Sequence, residues 1–176
     1  QTCALPIWFR RVRKALDDFN PDVVILFGND QAENWHEDVI PAFHIWIQDE
    51  IPTRRFATQQ NFCWKDGNHW DEPDDLMVNY KSNKDLARHI ATELIENDFP
   101  ISYSYKDLHY EGQGMVHAFT NTLMYMDWDR TGFPYPVIPI HMNGHGKDVL
   151  KRRLPGEIVP PGPTPRMCFK LGQMLR

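Results

Sequence analysis

The chain has 176 residues, of which 41% are hydrophobic and 12% aromatic, and its formal net charge is −5. This length and composition favour a globular domain with a core and exclude a disordered chain. The basic residues are scattered except in two short runs, 10–14 and 151–153, so we expect no nucleic-acid partner. No apolar run approaches the roughly 20 residues needed to cross a bilayer, so we expect no membrane partner.

The cysteines and the chain ends suggest a cellular context. Cys3, Cys63 and Cys168 match neither a disulfide framework nor a zinc motif, so we expect a reducing, cytoplasmic location. Gln1 opens the chain without an initiator methionine or a charged signal-peptide start, and Arg176 ends it inside a predicted helix. We interpret residues 1–176 as a single, partial domain truncated at both ends.

The first predicted elements are a helix and a strand. Apolar side chains recur at helical spacing before the stop signal at 20–21: Trp8, Val12, Leu16 and Phe19. The basic run 10–14 is expected to form the solvent side of this helix. Residues 23–27 form a continuous, mostly β-branched apolar run, which predicts a parallel strand buried on both faces. The order indicates an α/β fold, with a central mostly parallel or mixed sheet flanked by helices.

The middle of the chain is less regular. Alternating apolar residues predict a strand over 42–47. Residues 48–81 are polar and aromatic with weak periodicity, which indicates a functional segment or short strands that the pattern does not reveal. A helix follows, with Ser82 expected to cap it and one apolar stripe made of Leu86, Ile90 and Leu94.

The last predicted elements surround a second irregular segment. Strands are predicted over 101–105 and 136–142, because both are short runs rich in β-forming residues. Residues 151–165 are rich in proline and glycine, which predicts a surface loop. A final helix is expected to start at Thr164-Pro165.

Three polar segments follow predicted strands and suggest one site. They are 28–34, 109–117 and 141–145. Ligands of open α/β sheets bind beyond the carboxyl ends of the strands, so we expect these segments to meet. Their carboxylates, amides and imidazoles suit a metal ion and proton transfer.

Each candidate also has a structural interpretation. Asn29-Asp30 after a strand is more often a turn or a helix cap, and His44, among apolar neighbours, fits a hydrogen-bonded core histidine. The same alternative applies to His141. Three other histidines are expected at the surface: His36, His69 and His89. No C-x-x-C, G-x-S-x-G or phosphate-loop motif is present, so the residues alone predict an α/β domain with a histidine-rich cleft.

Four segments share their order and residues with a known family. They are 20–35 with 39–45, 85–95, 115–123, and 136–143 with 160–172. They resemble the core of the class III extradiol ring-cleavage dioxygenases, of the protocatechuate 4,5-dioxygenase beta-subunit type. The resemblance covers most of the chain from Asn20 onward.

The resemblance implies a non-haem Fe(II) enzyme that opens catechol-type rings with O₂ in aromatic compound catabolism. By register it makes His117 the catalytic acid–base residue, with His109 as the alternative. Three further residues are expected to bind the small aromatic substrate: His141, Asn143 and Asp30. The resemblance leaves open whether the protein forms a homo- or hetero-oligomer.

The expected iron ligands are incomplete. The family's second iron histidine aligns with Gln31, so the metal candidates are Gln31 itself and Glu33, with His36 as a further replacement. The remaining ligands, a histidine and a glutamate, are expected outside residues 1–176, and this chain alone is therefore expected to be inactive. Gln31 also motivates an alternative, a non-catalytic relative used for binding or as a partner subunit. A metal-dependent hydrolase would need a complete ligand cluster, which the sequence does not contain.

Overall fold

The computed structural model describes residues 4–31, 33–35, 39–56, 68–106, 114–144 and 162–176. These residues form four helices and six strands. In chain order they are α1 (Ala4–Phe19), β1 (Val24–Gly28), β2 (Phe43–Trp46), β3 (Glu50–Arg54), β4 (Met77–Lys81), α2 (Lys84–Glu96), β5 (Ser102–Ser104), α3 (His117–Met126), β6 (Val137–Met142) and α4 (Pro165–Met174). Within this described part, no helix combines the length and apolar character needed to span a membrane.

The main sheet is mixed, as the sequence predicted. Its strand order is β1-β6-β2-β5, and β3 and β4 form a separate antiparallel pair. β1 runs parallel to β6 and β2 parallel to β5, whereas β6 and β2 are antiparallel. The ends of β1 and β6 therefore lie at the edge where β2 and β5 begin. One row crosses all four strands at this edge: Gly28, His141, His44 and Ser102.

Two hydrophobic clusters cover the two faces of the sheet. On one face, Phe43 and Ile45 of β2 and Ile140 of β6 pack with the buried sides of α2 and α4. On the other face, Trp46 packs with α3 through Phe119 and with the β3–β4 pair. Because successive strand residues point to opposite faces, His44 and His141 lie on the α3 face.

The prediction that the first strand is buried on both faces is wrong. β1 is an edge strand of half-buried residues, and 49% of Phe27 is exposed. The buried strands are the two central ones: β2 is buried at every residue, and β6 is buried from Val137 to His141. A continuous apolar run reports hydrophobicity but not position in the sheet, so it could not distinguish an edge from the centre.

The first helix forms as predicted but packs through a different face. Trp8, Val12 and Phe19 of the predicted stripe are 57%, 53% and 78% exposed. The helix instead contacts α3, where the Phe9 ring stacks on Tyr125 with ring centroids 4.6 Å apart. Arg13, expected in solvent, donates from Nη1 to two backbone carbonyls, those of Met126 and Gly132, each at 3.0 Å. Met126 is the last residue of α3, so its carbonyl oxygen has no donor within the helix, and Arg13 supplies one.

Three further results concern the residues at the starts of the helices. Asn83, not the predicted Ser82, caps α2 by accepting a hydrogen bond from the backbone N–H of Leu86 at 3.0 Å. The helix α4 starts at Pro165, as predicted, and Thr164 caps it by accepting a hydrogen bond from Met167 N at 3.2 Å. The helix α3 was not predicted, and its N-cap residue, Val116, makes no side-chain cap hydrogen bond. A helix without a cap signal in its own sequence is hard to predict.

Candidate active site

The segment after β1 folds into a tight turn around Asp30. Asp30 is 8% exposed, and its carboxylate accepts hydrogen bonds from the backbone N–H groups of Glu33 and Asn34, both at 2.8 Å. Short polar side chains that bond to a nearby backbone stabilise turns of this kind. We call Asp30, Gln31, Glu33 and Asn34 the Asp30 turn.

The Asp30 turn presents a carboxylate to the first residue of α3. Glu33 accepts from the backbone N–H of His117 at 2.9 Å, and its other carboxylate oxygen is hydrogen-bonded to Nδ1 of the same residue. The Glu33 side chain is 1% exposed and the His117 side chain 29%. Glu33 thus accepts a hydrogen bond from the backbone N–H of His117, which has no partner within α3. It also places a negative charge at the N-terminus of α3.

The contact with Glu33 changes the acid–base character of His117. The pKa of His117 is raised above its usual value, chiefly because of the hydrogen bond to Glu33, while partial burial opposes the rise. A carboxylate at Nδ1 also fixes the proton on that nitrogen, so Nε2 is the nitrogen left to accept or donate a proton. This Glu–His pair can therefore perform proton transfer near neutral pH.

A second contact holds the Asp30 turn against the approach to α3. The side-chain amide of Asn34 donates to the carbonyl of Gly114 at 2.8 Å. Gly114 has a φ of +66°, and a Cβ there would lie 2.1 Å from the carbonyl oxygen of Pro52 and 2.5 Å from Oγ1 of Thr53. Only glycine fits this close approach.

Gly114→Ala should therefore destabilise the fold strongly. We expect a loss of roughly 2–4 kcal/mol in the free energy of unfolding, from backbone strain together with the clash on Pro52 and Thr53. The matched control is Gly132→Ala, at a φ of +91° with no atom within 4 Å of the added Cβ. It should cost about 1 kcal/mol from strain alone. Urea unfolding measures both, and equal losses would contradict the close approach at Gly114.

Two buried histidines lie beside the Asp30 turn on the row across the sheet. His141 accepts from the backbone N–H of Asp30 at Nδ1, 3.1 Å away, and its Nε2 lies 3.3 Å from the carbonyl oxygen of Pro41. His44 is hydrogen-bonded to two serine hydroxyls, those of Ser102 and Ser104, each at 2.9 Å. The core interpretation of His44 is therefore confirmed.

Burial keeps both of these imidazoles neutral. It lowers the pKa of His44 to about 3, with the neighbouring His141 as a smaller cause. It lowers the pKa of His141 to about 4. Trp35 covers the pair, with its ring centroid 4.5 Å from that of His141 and 4.8 Å from that of His44.

The structure brings together most of the predicted site residues. Asp30, Glu33, His117 and His141 are linked by hydrogen bonds, and Gln31 lies half-buried in the same turn. Asn143 follows β6 and donates its backbone N–H to Ala42 at 3.0 Å. His109 and His36 lie outside the described residues.

One step of the prediction was wrong. β5 is antiparallel to β1 and β6, so its carboxyl end lies at the opposite edge of the sheet from theirs. His117 nevertheless reaches the site, because it begins a helix that packs beside β1.

Two contributors had no predicted role, Asn34 and Trp35, although the predicted site segment 28–34 included Asn34. Asn34 joins the turn to Gly114, and Trp35 covers the two buried histidines. The spacing of Asp30 and Glu33 matches the start of a capped turn, which was an available signal for the turn that contains Asn34. The position of Trp35 depends on long-range packing, for which a single sequence has no local signal.

The described residues do not fit an iron centre on their own. Within those ranges, no group of three histidine, cysteine, aspartate or glutamate side chains is placed to hold a metal ion. Both carboxylate oxygens of Glu33 bond to His117, and both ring nitrogens of His44 and of His141 face other partners. These donors are engaged with the protein instead of converging on a common point.

Comparison with known proteins identifies the family. A model described as the catalytic LigB subunit of aromatic ring-opening dioxygenase matches residues 6–176. The chain belongs to this family. The resemblance to class III extradiol dioxygenases, drawn from four segments, is thereby confirmed.

One protein similar to this LigB-family chain has a dioxygenase name, and one solved structure is similar to it in fold. The 2,3-dihydroxyphenylpropionate/2,3-dihydroxicinnamic acid 1,2-dioxygenase 2 of Dechloromonas aromatica (strain RCB) is 29% identical over 143 residues, which cover 81% of this chain and 37% of that protein. The chain thus spans little more than a third of that relative's length. A mutant pyrrolidone carboxyl peptidase from the hyperthermophile Pyrococcus furiosus has a TM-score of 0.52 at 17% identity, covering 94% of this chain and 72% of the other. At that identity the likeness concerns the fold alone.

Proposed function

We propose that the chain provides the acid–base part of an extradiol dioxygenase, which cleaves a catechol-type ring beside one hydroxyl with O₂ and requires non-haem Fe(II). The observation that carries the proposal is the pairing of Glu33 with His117, which the resemblance aligns with the family's acid–base histidine. Family membership and the dioxygenase name of the Dechloromonas relative support the same reaction class.

His117 has the properties that this role requires. A catechol must lose a phenolic proton before its ring becomes electron-rich enough to react with O₂, and a proton must be returned later as the ring opens. The Nε2 atom of His117 can take and return that proton, because Glu33 holds Nδ1 and stabilises the charged imidazolium. Because the histidine returns the proton that it took, it is restored at the end of the cycle. Both atoms of O₂ enter the ring-opened product.

A second candidate function is that of a non-catalytic LigB relative. It is supported by the resemblance, which aligns Gln31 with a family iron histidine, and by the neighbouring donors, which are engaged with protein partners. In that case the fold would serve binding or act as a partner subunit, with the Glu33–His117 pair as a structural contact.

Iron loading separates the two functions. The native protein is loaded anaerobically with Fe(II), freed of excess metal, analysed for bound iron and supplied with a panel of catechols under air. The dioxygenase proposal expects about one iron per chain and a yellow ring-opened product from at least one catechol. Bound iron in the absence of product, or product without stoichiometric iron, contradicts it. Absence of both supports the non-catalytic relative. The 1–176 chain alone, as the control, is expected to retain no tight iron.

A further inference from the structure

We propose that His141 is a positioning residue, which holds the Asp30 turn in place and thereby sets the Glu33 carboxylate against His117. Its part in catalysis rests on the proposed dioxygenase function, whereas the structural link stands independently of it. His141 lies on β6, 24 positions after His117 in the sequence, and is 2% exposed. It touches neither Glu33 nor His117 through the hydrogen bonds described, so it acts through the turn.

The link consists of three successive contacts. Nδ1 of His141 accepts the backbone N–H of Asp30 at 3.1 Å. The Asp30 carboxylate then fixes the backbone N–H groups of Glu33 and Asn34 at 2.8 Å each. The Glu33 carboxylate finally meets the backbone and the ring of His117. Every atom in this series belongs to a buried or half-buried group, so water competes weakly for these hydrogen bonds.

A neutral histidine suits this position because it both accepts and donates. Nδ1 must be unprotonated to accept from Asp30, which leaves the ring proton on Nε2, facing the carbonyl of Pro41 at 3.3 Å. Burial favours that neutral form. An apolar side chain of similar size would leave the Asp30 N–H buried without this acceptor, which would favour movement of the turn.

Asparagine and leucine form a matched pair of replacements at position 141. The Oδ1 atom of asparagine is two bonds from Cβ, as is Nδ1 of histidine, so His141→Asn can accept from Asp30. His141→Leu cannot accept at all. The two variants therefore separate the acceptor role from a general packing role.

The first test needs no substitution. In the ¹⁵N-labelled chain, a hydrogen bond between the Asp30 amide and Nδ1 of His141 should produce a scalar coupling between these two nitrogens. Detection of the coupling, with the His141 ring in its Nε2–H form, is the expected result. A His141 ring protonated at Nδ1 at neutral pH would overturn the proposal.

The second test follows the effect at His117. The Nδ1–H proton shared with Glu33 should resonate far downfield in the unsubstituted chain. This signal should be lost in His141→Leu and retained in His141→Asn, with folding checked by circular dichroism. A folded leucine variant that keeps the signal, or an asparagine variant that loses it, would overturn the proposal. If the leucine variant does not fold, the asparagine variant and the nitrogen–nitrogen coupling decide whether His141 positions the turn.

Turnover by the iron-loaded native protein connects the link to function. His141→Leu should lower kcat on the order of 10²-fold with a smaller change in KM, since displacement of an acid–base group mainly affects the chemical step. His141→Asn should restore most of kcat. If the unsubstituted protein turns over no catechol, the proposed function fails, whereas the two spectroscopic tests still decide the positioning role.

Discussion

Replacing His117 by glutamine should lower the rate of catechol ring opening by about 10²–10⁴-fold, the range typical for loss of a general acid–base group. Glutamine keeps the size and polarity of the side chain but cannot carry the proton. The measurement is oxygen uptake and product absorbance by the native protein loaded with Fe(II). The matched control is His89→Gln on α2, whose side chain is 67% exposed and remote from Glu33 in the fold. A His117→Gln variant as active as the control would remove His117 from the chemistry.

Glu33 makes this prediction sensitive to pH. Its hydrogen bond raises the pKa of His117 above 6.5, so the base is protonated and inactive below that raised value. The acidic limb of the kcat/KM profile should therefore lie above pH 6.5 in the unsubstituted protein. In Glu33→Gln the limb should move to lower pH, because a neutral amide no longer stabilises the imidazolium. A limb that stays in place would show that Glu33 does not govern the proton on His117.

The second large effect is a loss of stability in mild acid. The pKa values of His44 and His141 in the folded chain, about 3 and about 4, lie well below the value of about 6.5 for an unfolded histidine. The unfolded chain therefore binds more protons as the pH falls. Stability contributed by these neutral histidines is complete above pH 6.5 and is lost progressively down to the folded pKa values.

Urea unfolding at a series of pH values measures this loss. Each buried histidine should cost about 1.4 kcal/mol per pH unit below 6.5, so the pair should cost roughly 3–4 kcal/mol between pH 7 and pH 5. His44→Gln should remove about half of this dependence by removing one titrating group, and His89→Gln, at an exposed position, should leave it unchanged. A His44→Gln variant with the same pH dependence as the unsubstituted chain would show that His44 is not buried as described.

The sequence predicted the parts of the fold that depend on local patterns. The spacing of Leu86, Ile90 and Leu94 predicted α2, and Thr164-Pro165 predicted the start of α4. Strand burial was predicted less well, since an apolar run such as 23–27 has the same appearance at the edge of a sheet as at its centre. The β3–β4 pair lies in residues 48–81, where the weak periodicity did not reveal the two strands.

The site was predicted as a set of segments and not as a set of contacts. The segments after β1 and around His117 were expected to meet, and they do, although β5 ends at the opposite edge of the sheet. The pairing of Glu33 with His117 spans 84 positions in the chain, and no local pattern encodes a contact of that length. Glu33 was instead proposed as a metal candidate, because its spacing from Gln31 was the only information available.

A double-mutant cycle between Glu33 and His117 tests the central contact most directly, without iron or substrate. Glu33→Gln, His117→Gln and the double variant are unfolded in urea at pH 6.5, where the charged imidazolium is still present in the folded chain. Each variant is expected to lose free energy of unfolding. We expect the sum of the losses in the two single variants to exceed the loss in the double variant by about 1–3 kcal/mol, as for side chains in direct contact. Losses that simply add would contradict the pairing of these two residues.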